Sequence, residues 1–115
     1  MDIRKATADD IEVVTRMAYN FLQTTDYLEY TDPQTLGELI ASFLIDEHQR
    51  IALLNGNKGL IAGFISPFVF GKVLVATELA FWVEPDYRSK GVGLDLINAF
   101  ENWAKEQGCK LVNMI

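Results

Sequence analysis

Residues Val83 to Gly93 read V-E-P-D-Y-R-S-K-G-V-G and join a β-rich apolar run to an amphipathic helix. This junction constrains the fold more than any other passage, because Pro85 stops the strand and two glycines open the helix that follows. A glycine-rich turn at a helix start points several unpaired backbone N–H groups at one place, where the positive end of the helix dipole adds to them. Arg88 and Lys90 bring charge to that cradle, and Gly91 and Gly93 let a ligand approach the backbone with no Cβ in the way. The guest that suits such a turn is a pyrophosphate. The plainer alternative is a tight strand-to-helix turn with Arg88 and Lys90 as solvated charges.

Other phosphate motifs fail on the same residues. The dinucleotide fingerprint needs a third glycine or alanine where Leu96 stands, and an acidic residue closing the next strand that is not supplied here. A nucleotide P-loop needs G-x-x-x-x-G-K-[ST], and no glycine of this sequence is followed by Lys and then Ser or Thr. What stays is R-x-x-G-x-G behind a strand ending in V-x-P-x-Y. In that order and context the chain resembles the GNAT superfamily of N-acyltransferases, which hold the pyrophosphate of acetyl-CoA on this turn.

Composition limits the alternatives. With 115 residues, half of them hydrophobic and 23% charged, the chain is one folded domain. No charge-free apolar stretch approaches the ~20 residues that span a bilayer, and Met1-Asp2-Ile3-Arg4 lacks the layout of a secretion signal, so a cytoplasmic protein without membrane contact is expected. One cysteine, Cys109, and one histidine, His48, make neither an internal disulfide nor a zinc site, and no metal is expected. A net charge of −6 works against nucleic-acid binding and is compatible with a cationic amine, although ordinary solubility explains the same acidity.

The periodicities give an order of elements. Asp2 to Ala6 is a short strand. Thr7 and Asp10 read as a capping pair for a helix running to about Thr24, with Ile11, Val14, Met17, Ala18, Phe21 and Leu22 on its apolar stripe. Asp32-Pro33 starts a second helix that buries Leu36, Leu39, Ile40, Phe43 and Leu44. Arg50 to Leu54 and Leu60 to Val69 form a hairpin through Asn55-Gly56, and Val73 to Val83 adds a third antiparallel strand. A third helix from about Gly91 to Gln107 buries Val92, Leu96, Phe100, Trp103 and Ala104, and Gly108 stops it. Lys110 to Ile115 is the last strand, and the strand-helix-strand crossover forces it parallel to its predecessor. His48 is read as a surface residue.

The sum is an α+β domain with one mixed, mostly antiparallel sheet flanked by helices. It matches the first five strands and three helices of the resembled fold, lacking the usual last helix and two strands. The resemblance places a leaving-group tyrosine on that further helix, so the general acid is missing from its expected place. Either the chain is a shortened form or fragment, or a second chain completes the sheet: an apolar edge strand invites pairing, and a homodimer is the expectation on that second reading.

The resemblance also implies a site. The backbone of Phe81, Trp82 and Val83 would pair with the pantetheine amides like an added strand, and the amides of Arg88, Ser89, Lys90, Gly91, Val92 and Gly93 would take the pyrophosphate. Glu78 becomes the general base that deprotonates the acceptor, since several members place a glutamate on this strand. By alternation Glu78 shares a face with Ala80 and Trp82 and opposes Leu79, Phe81 and Val83. An exposed or paired strand glutamate is the competing account. A backbone N–H of the same strand would stabilise negative charge on the thioester oxygen. Asp26, Tyr27, Glu29 and Tyr30, between the first two helices, are candidates for contacting an amine, though the tyrosines also suit covering helix ends. Cys109 is better read as a semi-buried core thiol than as an acyl carrier. The implied activity is acetyl-CoA-dependent N-acetylation of an amine-bearing small molecule or protein by direct attack in a ternary complex. The alternative is a CoA- or protein-binding regulator of reduced activity.

Overall fold

The computed structural model describes residues 2–45 and 49–114, so His48 and Ile115 lie outside the described residues. Five strands form one sheet in the order β1-β2-β3-β4-β5. They are β1 (Ile3–Lys5), β2 (Arg50–Asn55), β3 (Gly59–Pro67), β4 (Leu74–Val83) and β5 (Cys109–Asn113). The first four pair antiparallel, and β5 runs parallel to β4. The three helices are α1 (Ile11–Leu22), α2 (Pro33–Ile45) and α3 (Val92–Glu106).

Strand alternation sorts the core into two layers. On β2, Ala52 and Leu54 face the layer of α1 and α2 with Met17, Ile40 and Phe43, while Ile51 and Leu53 face α3 with Leu96, Phe100 and Trp103. Because both faces of the sheet are covered, β2 is apolar almost throughout. The largest fully buried side chains are Phe100, Met17, Leu54, Leu60, Ile61 and Leu96. Burying each aliphatic or aromatic side chain of that size stabilises the fold by ~1.5–3 kcal/mol.

Local chemistry fixes the helix starts. A single 3-10 turn, Ala8–Asp10, leads into α1, and the Asp10 carboxylate accepts from the Thr7 N–H at 2.8 Å. Both Asp10 oxygens also accept from Arg4 of β1, at 2.7 and 2.8 Å, which ties the helix entrance to the edge strand. The Arg4 guanidinium and the Thr7 N–H together hold the Asp10 carboxyl far below its ordinary range. At α2 the Asp32 carboxylate accepts from the Thr35 N–H and hydroxyl, both at 2.8 Å, ahead of Pro33.

The expected boundaries shift by one or two residues at several ends. Helix α1 stops at Leu22, where Thr24 and Thr25 turn their hydroxyls back to the carbonyls of Phe21 and Leu22 at 2.7 Å. Strand β3 ends at Pro67, and β5 begins at Cys109. Gly91 stands outside α3 as its cap, with φ at +85°.

The larger correction concerns alternation on β4. The register steps from Ala62 opposite Ala80 to Gly63 opposite Glu78, so Leu79 is an extra residue at a β-bulge. The unbroken alternation expected from Glu78 to Val83 therefore stops at Leu79.

Candidate active site

Strands β4 and β5 are partners over a short stretch, from Leu74 opposite Cys109 to Thr77 opposite Asn113. Beyond Thr77, β4 continues to Val83, and no strand among the described residues pairs with that edge. The phase of the ladder shows which groups are left over. The Glu84 N–H donates to the Lys58 carbonyl at 2.8 Å, so in an antiparallel ladder Trp82 and Ala80 bond to β3 while Phe81 and Val83 turn their N–H and C=O outward. Arg88 confirms the direction by donating its Nε–H to the Val83 carbonyl at 3.0 Å. An extended amide-bearing ligand would find unpaired backbone groups there.

The turn that follows is built for backbone exposure. Ser89 and Gly91 adopt left-handed φ values of +65° and +85°. Gly91 caps α3 without a side-chain hydrogen bond, and the first intrahelical bond runs from Asp95 N–H to the Gly91 carbonyl at 3.0 Å. The N–H groups of Val92, Gly93 and Leu94 therefore start the helix without intrahelical partners. At Gly93 a Cβ would come within 3.1 Å of the Phe81 ring, so glycine is what lets the helix start sit close to β4.

These elements enclose a cleft of about 590 Å³ lined by Phe21, Thr24, Phe81, Trp82, Val83, Arg88, Ser89, Gly91, Gly93 and Leu94. The Arg88 guanidinium lies 4.8 Å from the Trp82 ring centroid. The Trp82 indole N–H is buried without a hydrogen-bond partner among the described residues, a donor that a ligand oxygen would satisfy.

A second cavity of about 600 Å³ lies between α1, α2 and the sheet, and Phe21 and Phe81 line both spaces. Glu78 is on its wall beside Leu79 and Ala80. The Glu78 side chain is 7% exposed, and burial raises its carboxyl above the ordinary value. It makes no hydrogen bond or ion pair with the other described residues. A nearly buried, unpaired carboxylate on the wall of the second cavity can accept a proton or hold a cation.

The model of the acetyltransferase (GNAT) family matches residues 15–115. The chain belongs to the GNAT acetyltransferase family. Among solved structures, a possible acetyltransferase from Clostridium difficile 630 superposes with a TM-score of 0.82 at 19% identity, covering 98% of this chain and 77% of that one. An acetyltransferase from Vibrio fischeri gives 0.75 at 22% identity, covering 97% and 94%. A ribosomal-protein-alanine N-acetyltransferase from Brucella melitensis gives 0.74 at 18% identity, covering 98% and 77%. These likenesses show that the GNAT fold is shared. A search of curated proteins returned no match.

Within this GNAT domain, Phe81, Trp82, Val83, Arg88, Ser89, Gly91 and Gly93 are brought together around one cleft. Lys90 and Val92 stand apart from its lining. The Lys90 ammonium lies 6.0 Å from the Tyr87 ring centroid, and the Val92 side chain is buried in the α3 layer, leaving its backbone N–H as its contribution. Tyr27 lines the second cavity, whereas Asp26, Glu29 and Tyr30 do not. Burial raises the Cys109 thiol above its ordinary value, and the residue packs against the α3 layer, which opposes a nucleophilic thiolate.

Phe21, Thr24 and Leu94 were not among the residues expected at the cleft. Phe21 falls on the apolar stripe of α1 and reads as core from the sequence, but it is half-buried, and only the position of that helix end over β4 reveals its place at the cleft. Leu94 carried a usable signal: it is a large apolar residue at the third position of α3, off the stripe of Val92, Leu96, Phe100 and Trp103, and the structure leaves it 64% exposed.

Across the described residues no helix is long and apolar enough to cross a membrane.

Proposed function

We propose that this domain transfers an acetyl group from acetyl-CoA to a primary amine by direct attack within a ternary complex. The observation that carries this reading is convergence. The unpartnered edge of β4 and the free N–H groups of α3 meet in one cleft, which shares Phe21 and Phe81 with the cavity that Glu78 lines.

Acetyl-CoA, when bound, supplies an activated acetyl thioester. The N–H groups of Val92, Gly93 and Leu94 suit its pyrophosphate, where the dipole of α3 adds to their partial charge. The outward N–H and C=O of Phe81 and Val83 suit the pantetheine amides. Arg88 must release the Val83 carbonyl for that carbonyl to accept from a ligand, and its guanidinium is then free for a phosphate.

A primary amine with a pKa of ~10.4 reaches neutral pH as an ammonium and cannot attack until it loses a proton. In this reading Glu78 takes it, directly or through one water. Its raised proton affinity moves it toward the working pH, which makes it a stronger base than an exposed carboxylate. Titration calorimetry with acetyl-CoA and with CoA, followed by thiol release against a panel of amines, tests the reading. Heat and thiol release support it. Heat without release favours a carrier-binding regulator, and neither removes both.

A further inference from the structure

The second cavity narrows the acceptor further. Resting on the acetyl-transfer reading above, we propose that the acceptor is a primary monoamine on an apolar body, an aryl- or alkylamine, with its nitrogen at Glu78 and its tail between α1, α2 and the sheet.

The lining supplies the argument. Val14, Ala18, Leu39, Ile40, Phe43 and Ala62 are among the apolar side chains that surround this space of about 600 Å³, and among the described residues Glu78 is the only carboxylate on its wall. No described Lys, Arg or Asp joins it. The remaining polar side chains add little. The Thr25 hydroxyl donates to the Leu22 carbonyl at 2.7 Å and accepts from the Tyr27 N–H at 3.1 Å, so its capacity is largely spent. Tyr27 is 67% exposed, at the solvent side of the cavity.

One cation therefore finds a partner in this cavity and a second does not. A polyamine or an amino sugar would bury further ammonium or hydroxyl groups against methyl and phenyl surface, with their hydrogen bonds to water lost and nothing in exchange. An apolar tail loses nothing on entry. The same space would accept the tail of a long acyl chain, but that occupant would face the unpaired Glu78 carboxylate with methylenes. Charge complementarity favours the amine.

The experiment compares acceptors at fixed acetyl-CoA by thiol release. 2-Phenylethylamine and n-hexylamine are expected to exceed ethanolamine and spermidine at least tenfold in kcat/KM, and lengthening the series from n-propylamine to n-hexylamine to gain about fourfold per methylene. In parallel, 2-phenylethylamine is expected to shift the amide resonances of Leu39, Ile40 and Phe43, where spermidine does not. Leu39→Glu and Leu79→Glu alter residues 41% and 40% exposed, positions that tolerate charge, and are expected to lower the preference for 2-phenylethylamine over spermidine. Equal or better turnover of ethanolamine or spermidine overturns the proposal. So does no perturbation by 2-phenylethylamine, or a preference for octanoyl-CoA over acetyl-CoA with apolar amines refused. If acetyl-CoA gives no heat and no amine releases thiol, yet 2-phenylethylamine still shifts those amides, acetyl transfer falls and the ligand class of the cavity stands. If transfer runs equally to hydrophilic amines, the reverse holds.

Discussion

Arg88 lies over Trp82, its guanidinium 4.8 Å from the ring centroid, while its Nε–H is donated to the carbonyl of Val83. One side chain thus covers the aromatic wall of the cleft and occupies a backbone acceptor of the free β4 edge. A ligand laid along that edge has to displace it, and both contacts become reporters.

Replacing Arg88 by Ala removes a mobile charge beside the phosphate cradle and uncovers Trp82. Hydrogen bonds to charged groups contribute ~1.5–3 kcal/mol, so acetyl-CoA should bind about tenfold to a hundredfold more weakly to Arg88→Ala. In the unmodified protein, titration with acetyl-CoA should change the tryptophan emission as the cation leaves the ring. An unchanged dissociation constant in the variant removes Arg88 from the binding machinery.

Gly91 and Gly93 fail differently when substituted. At Gly91 a Cβ meets nothing within 4 Å, but φ is +85°, so Gly91→Ala should cost ~1–2 kcal/mol of stability through backbone strain alone. At Gly93 the obstacle is the Phe81 ring at 3.1 Å, so Gly93→Val should push the helix start from β4 and spread the free N–H groups. Replacing both by bulky residues should abolish acetyl-CoA binding in calorimetry while circular dichroism still reports a folded domain.

Glu78 sets the pH dependence. Burial raises its pKa above 4.5, and a general base works only when deprotonated, so kcat/KM should fall with decreasing pH along a limb whose midpoint lies above that value. The sign for stability is opposite to that of a paired carboxylate: ionising Glu78 in the folded state is disfavoured, so it contributes instability as pH rises through its folded pKa. Glu78→Gln should leave acetyl-CoA binding intact, abolish the acid limb and lower the rate by ~10²–10⁴. Full activity of that variant across pH would assign the base elsewhere.

Two glycines on regular elements predict opposite stability changes. A Cβ at Gly63 would lie 2.5 Å from the Phe100 ring and from the Thr77 carbonyl oxygen, so Gly63→Ala should destabilise by ~1–3 kcal/mol. In α2 a Cβ at Gly37 meets nothing within 4 Å, so Gly37→Ala should stabilise by ~0.5–1 kcal/mol. Denaturant unfolding of the two variants measures both signs.

The order of elements was legible because each rested on a local signal: Asp32 ahead of Pro33, Asn55-Gly56 in the hairpin, Pro85 and Gly91 around the crossover. Strand parity carried the two-layer core for the same reason, with Ala52 and Leu54 on one face and Ile51 and Leu53 on the other. The bulge at Leu79 was not legible. It comes from β3 and β4 pairing across Gly63 beneath Phe100, a tertiary contact with no mark in the β4 sequence. The cleft followed the same division. Val83 to Gly93 announced itself through its own turn chemistry, whereas Phe21 joined the cleft because α1 ends over β4. Lys90 shows the limit of reading charge from a motif, since its ammonium lies beside Tyr87 rather than in the cleft.

The central claim is that main-chain donors at the start of α3 and the free edge of β4 hold an acyl carrier together. Amide resonances followed through an acetyl-CoA titration test it most directly. The account predicts saturable shifts at Phe81, Val83, Val92, Gly93 and Leu94. Those resonances staying fixed at saturating acetyl-CoA would contradict it.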